Sequence, residues 1–156
     1  MSSLVAIAPA VGALSVRAPP IGLETLSGRP VVGGWGGAPT VMLFWRADCA
    51  PCRLELGHLG SYRAAASPMK LELVGLQSAG ELRAGLRSAG LDSDSSLRTS
   101  DPPDRVLSAW GGQPPRLPLA VALDGTGRIC ARHSGLIGTE QLQAWARTCG
   151  GAHARG

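Results

Sequence analysis

A chain of 156 residues, 44% of them hydrophobic, is roughly one domain's worth of sequence and can bury a core that needs no disulfides to hold it. Its formal charge of +4 comes from scattered basic residues, all arginine except Lys70. A nucleic-acid surface wants clustered Lys and Arg with exposed aromatics; here Phe44, Tyr62 and the tryptophans sit mostly in apolar patterns, so nucleic acid is excluded as a partner.

The opening MSSLVAIAPAVGALSV is uncharged. It is shorter than the roughly 20 residues of a membrane span and lacks the basic start of a secretory signal peptide. A mature N-terminus, a trimmed anchor and a loose leading arm fit it equally, and residues 1–20 are expected to be irregular. IGLETLSGRPVV (21–32) reads as a short hairpin turning at Ser27-Gly28. GGWGGAP (33–39) reads as a connector, since no Lys-Ser/Thr follows its glycines to complete a phosphate loop. TVMLFW (40–45) is a continuous apolar run, the pattern of a central strand buried on both faces. A helix is predicted from Ala50 to about Ala65, with Leu54, Leu56 and Leu59 as its apolar contacts, and LELVGL (71–76) is predicted as a second buried strand.

AGELRAGLRSAG (79–90) places Ala79, Leu82, Leu86 and Ala89 on one helical stripe. Gly85 weakens that helix by about 1 kcal/mol relative to alanine. LDSDSSLRTSDPPD (91–104) is polar and broken by prolines; it reads as a loop leading to a short helix around Val106, Leu107 and Trp110. LPLAVALD (117–124), the turn GTG and RICARH (128–133) form a strand pair. A last helix runs from a capping Thr139 to about Cys149, with Leu142, Trp145, Ala146 and Cys149 on one stripe. No internal repeat or second domain is visible. The fold class is α/β, a central mixed sheet with helices on both faces.

Cys49-Ala50-Pro51-Cys52 falls where the buried strand gives way to the helix. Three readings compete for it: a metal clip, a structural staple and a redox pair. A zinc site needs about four ligands, usually from two close pairs, but Cys130 and Cys149 stand far apart and His58, His133 and His153 are not grouped. A staple across two residues gains little from loop closure. A thiol at a helix start, by contrast, meets unpaired N–H groups that stabilise its thiolate. Cys49 is then the attacking thiol, and Cys52, one turn in, closes back on it to expel a partner's sulfur. Pro51 suits the first helical turn, where no N–H is needed. Arg53 follows Cys52, so there is no CxxCH heme-attachment site, and no serine, histidine and acid form a recognisable hydrolase motif.

FWRADCAPCRLELGHL resembles the FWAxWCxPCRxExPxL pattern of the TlpA/ResA/CcmG-like thiol–disulfide oxidoreductases of the thioredoxin superfamily. RLPLAVALDGTGRI is similar to the family's G(V/L)PTTFLIDRDGRI, and LETLSGRPV to its LxDLDGKPV opening, so the likeness spans about residues 21–148. It implies a thioredoxin-like domain over 21–150 with an N-terminal β-hairpin extension, between an arm (1–20) and a tail (151–156). It further implies a cis-proline at Pro118, after Leu117, beside the sulfurs. Ala50, Pro51, Leu117 and Trp45 would form the substrate-binding surface, with Trp45 packed beneath the active-site turn. Protein thiols or disulfides would be substrates, with a membrane or soluble redox partner, no cofactor and no metal, and a periplasmic or otherwise extracytoplasmic location, membrane-anchored in some members.

Four positions depart from the pattern. Asp48 replaces the tryptophan before the first cysteine; its charge opposes a thiolate at Cys49, unless it contacts Arg46 or a partner. Leu43 stands where thioredoxin keeps a buried aspartate, which leaves Glu55 as the substitute proton acceptor for the resolving thiol; an exposed glutamate of ordinary helix chemistry is the plainer alternative. Gly57 replaces a helix-kinking proline, and Arg46 takes the place of a peroxidase threonine, which argues against a thiol peroxidase. The competing class is a non-enzymatic module of the same fold whose CxxC carries copper or binds a partner.

Cys130 and Cys149 lie on the penultimate strand and near the end of the last helix. The strand's run of about 13 Å and the helix's return of about 15 Å bring them level. A structural disulfide or two separate buried thiols both fit.

Overall fold

The computed structural model describes residues 16–32, 37–111 and 116–151. Most of the expected leading arm, residues 33–36 of the 33–39 connector and residues 152–156 of the expected tail lie outside the described residues. The elements are β1 (Val16–Arg17), β2 (Glu24–Thr25), β3 (Thr40–Trp45), α1 (Ala50–Leu56), α2 (Leu59–Ala66), β4 (Lys70–Gly75) and α3 (Ala79–Ser88). They continue with β5 (Ser96–Arg98), α4 (Pro103–Trp110), β6 (Leu119–Leu123), β7 (Arg128–Ser134) and α5 (Thr139–Thr148). Among the described residues the strands form one sheet in the order β1-β7-β6-β3-β4-β5-β2. The β3–β4 and β4–β5 pairs are parallel and the rest antiparallel, so the sheet is mixed.

β3 lies at the centre, and every residue of it is buried. Successive side chains of a strand point to opposite faces, which divides its apolar run between two core layers. Val41, Leu43 and Trp45 pack with Leu56 of α1, Leu59 of α2, Leu82 and Leu86 of α3, and Leu142 of α5. Met42 and Phe44 pack on the other face with Val121 of β6 and with Val106 and Trp110 of α4, where Ala18, Ile21 and Leu23 complete the cover. The Phe44 and Trp110 rings meet at 5.4 Å, tilted by 56°. Each large side chain removed from water in this way contributes about 1.5–3 kcal/mol.

Several expectations are corrected. Residues 16–17 of the supposedly irregular arm form edge strand β1 against Ile129 and Arg128. The predicted hairpin turns at Ser27-Gly28, but its arms are joined by one bridge, Glu24 to Pro30, and its first arm also pairs with β5. The 91–104 stretch is not all loop: Ser96–Arg98 is a strand paired with β4 and β2. The single helix over 50–65 is two helices, which break at Gly57-His58, and Leu54 is 60% exposed instead of packed. The cap of α5 is Gly138, with no side-chain hydrogen bond, and Thr139 is the first helical residue.

α3 sits unusually close to the sheet, and two glycines allow it. A Cβ on Gly75 would fall on the Leu82 side chain, and one on Gly85 would come within 2.8 Å of the Ala47 Cβ and 3.1 Å of the Trp45 ring. The local helix cost of Gly85 thus accompanies tight seating against the chain that leaves β3. Ser78 and Glu81 form a reciprocal capping box at the start of α3, which offsets part of that cost.

Candidate functional site

Cys49 lies just beyond the carboxyl end of β3, where ligand sites of open α/β sheets concentrate. It is the N-cap of α1, in extended conformation, and its sulfur accepts a hydrogen bond from the Cys52 N–H at 3.3 Å. Ala50 and Pro51 occupy the first helical positions and are exposed. Cys49 and Cys52 are joined in a disulfide with Cα atoms 5.2 Å apart. Cys49 is partly accessible, whereas Cys52 is 1% exposed. This asymmetry leaves one sulfur open to an incoming partner and the other behind it.

The Leu117–Pro118 peptide is cis. Pro118 precedes β6, whose register pairs Leu119 with Phe44 of β3. One step further along this antiparallel ladder sets Pro118 opposite Trp45, at the sheet end from which the CxxC turn departs. Pro118 has no N–H to extend the ladder; its carbonyl accepts from Gly135 N–H at 2.7 Å, which ties it to the β7–α5 connection. Leu117 is partly buried and packs on the same core layer as Cys49 and Cys52.

Trp45 is 1% exposed, and its indole N–H donates to Ser96 Oγ at 2.9 Å. It therefore offers no surface to a partner, which corrects its expected place on the binding surface, while its burial agrees with the expected packing inside the fold. Glu55 is also buried, so the exposed alternative is overturned. It lies one helical turn after Cys52, on the same inner face of α1. Its Oε1 accepts from Ile137 N–H at 2.8 Å, while Oε2 has no hydrogen-bond partner among the described residues. Burial pushes the Glu55 carboxyl up to about 7, against the opposing pull of the Ile137 N–H. Tyr62 donates to the Ile137 carbonyl at 2.6 Å; burial, then the nearby Glu55 charge, raise its phenol above the ordinary range.

Asp48 forks onto Arg46, with Nε to Oδ1 at 2.9 Å and Nη2 to Oδ2 at 3.0 Å. This hydrogen-bonded pairing holds the Asp48 carboxyl below its ordinary range. Arg46 Nη1 also donates to the Leu76 carbonyl at 3.2 Å, and Ala47 N–H donates to Gln77 Oε1 at 2.6 Å. Arg53 reaches back from α1 to the Ala47 carbonyl at 3.0 Å. Five hydrogen bonds therefore pin the short segment between β3 and the first cysteine.

Cys130 and Cys149 form a second disulfide, with Cα atoms 5.9 Å apart, between β7 and the C-cap of α5. Sequence reasoning missed Ser96, Gln77 and Ile137. Ser96 was hidden in a stretch read as loop, and Ile137 acts through its backbone, which carries no residue-type signal. Among the described residues, no group of three or more His, Cys, Asp or Glu is arranged to hold a metal, and no helix is long and apolar enough to cross a membrane.

No protein-family model matches the sequence, and no curated protein is similar to it in sequence. Solved structures do match. A thiol:disulfide interchange protein from Bacteroides sp. superposes with a TM-score of 0.68 at 21% identity, over 91% of this chain and 93% of that one. A thiol:disulfide interchange protein of the thioredoxin family from Chlorobium tepidum gives 0.67 at 16% identity, over 90% and 100%. A secreted disulfide oxidoreductase from Mycobacterium tuberculosis gives 0.56 at 20% identity, over 79% and 91%. The chain has the thioredoxin fold, and it presents a disulfide-bonded CxxC pair at the start of a helix.

Proposed function

We propose that the chain is a thiol–disulfide oxidoreductase that exchanges electrons with protein thiols or disulfides through Cys49 and Cys52. In the reducing direction, the Cys49 thiolate attacks one sulfur of a partner disulfide, forms a mixed disulfide and expels one partner thiolate. Cys52, once deprotonated, attacks the Cys49 sulfur, closes the 49–52 bond and expels the second partner thiolate. Two electrons pass to the partner; the reverse sequence oxidises a partner dithiol. Glu55 takes the Cys52 proton, and its buried carboxyl, poised near neutrality, suits that transfer. Leu117 and Pro118 flank the sulfurs and meet an extended substrate segment, with Ala50 and Pro51 at the rim. The extracytoplasmic assignment draws support from the described cysteines being all disulfide-bonded and from the secreted relative in fold.

The observation that carries the reading is the asymmetry of the pair: an accessible Cys49 accepting the Cys52 N–H, with the buried Cys52 behind it. Insulin reduction in the presence of dithiothreitol tests it. The chain is expected to accelerate turnover at least tenfold over dithiothreitol alone. Cys49→Ser abolishes the acceleration, and Cys52→Ser accumulates a mixed disulfide on Cys49. A chain without acceleration, or one whose Cys49→Ser variant keeps it, contradicts the reading. A copper carrier would instead hold Cu(I) tightly through the reduced pair without turning over insulin.

A further inference from the structure

The residue before Cys49 is an acid, which by itself is unfavourable for a neighbouring thiolate. Yet this acid is not free: Arg46 occupies both of its oxygens and is itself tethered to the Leu76 carbonyl just past the end of β4. We propose that Arg46 is a positioning residue for Cys49, which acts through Asp48 by holding that carboxylate in a fixed fork and cancelling its charge, so that the Cys49 thiol can ionise. The step is a simple one, with the Cys49 proton passing to solvent and the thiolate remaining.

The other charged groups around the turn do not replace Arg46. Arg53 acts on Asp48 electrostatically, but its Nη1 is committed to the Ala47 carbonyl. Glu81 of α3 interacts electrostatically with Arg46, and its carboxylate is held by Ser78. Glu55 lies inward on α1, and Arg116, before Leu117, is exposed. The side chains contributed by Leu117, Pro118, Leu136 and Ile137 are uncharged, and His133 is engaged with the Leu136 carbonyl. Of the groups around the turn, Arg46 is the one that grips both Asp48 oxygens.

The inference rests on the reading of Cys49 as the attacking thiol, but its test does not use exchange activity. The reduced full chain is alkylated with iodoacetamide across pH 5–10, and Cys49 modification is followed by peptide mass spectrometry in four forms: unaltered, Arg46→Gln, Asp48→Asn and both together. Arg46→Gln alone is expected to raise the Cys49 pKa by about 0.5 unit, the size of a like charge exposed to water a few ångströms away, and to slow alkylation at pH 7 roughly threefold. In the Asp48→Asn background, the same substitution is expected to shift the pKa by less than half as much. A shift half as large or larger in that background overturns the proposal, because Arg46 then acts on the thiol directly; so does no shift in the unaltered background. Thermal melts monitor folding, and if Arg46→Gln does not fold, Arg46→Met, which also removes the charge, replaces it in the same cycle and is judged by the same criterion. Because the pKa is readable in a chain with no exchange activity, failure here is distinct from failure of the insulin assay.

Discussion

Glu55 has a consequence for stability as well as chemistry. Its carboxyl ionises near 4.5 in an unfolded chain but near 7 in the folded one, because burial disfavours the charge. Below about pH 4.5 both states are protonated and the folded state bears no penalty. As pH rises from there to about 7 the unfolded state loses its proton first, so stability falls across that window and levels off above it, by on the order of 3 kcal/mol. Urea denaturation of the oxidised chain at pH 4, 6 and 8 is expected to show this decline, and Glu55→Gln is expected to flatten it. An identical pH dependence in the variant would mean that another group is responsible. Exchange catalysis by Glu55→Gln is expected to fall about tenfold near neutrality, read as insulin turnover, if Glu55 is the proton acceptor for Cys52 that we propose.

The elements that hold the site follow from local sequence to unequal degrees. β3, β4 and β6 are legible because their apolar runs are buried on both faces, and α3 and α5 because their stripes repeat at helical spacing. β1 and β2 are two residues each and β5 three, too short for any periodicity; they exist because the sheet edges offer them partners. The break after Leu56 was marked only by Gly57, whose effect on a helix depends on what packs around it. At the site, the cysteine pair and the proline at 118 were legible as motif and the burial of Trp45 as the end of an apolar strand, while the burial of Glu55 was not, because it depends on Ile137 arriving from distant sequence. Gly85 makes the same point in energetic terms. Gly85→Ala gains about 1 kcal/mol of helix propensity. It also drives a methyl against Ala47 and the rigid Trp45 ring, an overpacking that costs about 1–3 kcal/mol. The clash is expected to win, with a net loss near 1 kcal/mol by urea denaturation; a more stable variant would show that α3 shifts freely. The second disulfide ties α5 to β7, and replacing both Cys130 and Cys149 by serine is expected to remove about 3 kcal/mol while leaving insulin reduction within twofold of the unaltered chain.

Over the whole molecule, the two disulfides divide the labour by position. One opens a helix beyond the end of the central strand, with one sulfur accessible and buried polar groups behind the other. The other packs on the same core layer, between the last strand and the end of the last helix. The thioredoxin fold supplies both places, and among the described residues the first is the one that offers a thiol the N–H contact that stabilises its ionised form. Selective opening of the 49–52 bond is therefore the central claim. Equilibration of the folded chain with glutathione at graded ratios of reduced to oxidised form, followed by acid quench, alkylation and peptide mass spectrometry, measures it directly. Cys49 and Cys52 are expected to become alkylated together in one two-electron transition while Cys130 and Cys149 remain joined. Opening of the 130–149 bond first, or a 49–52 bond that glutathione never reaches, would contradict the account.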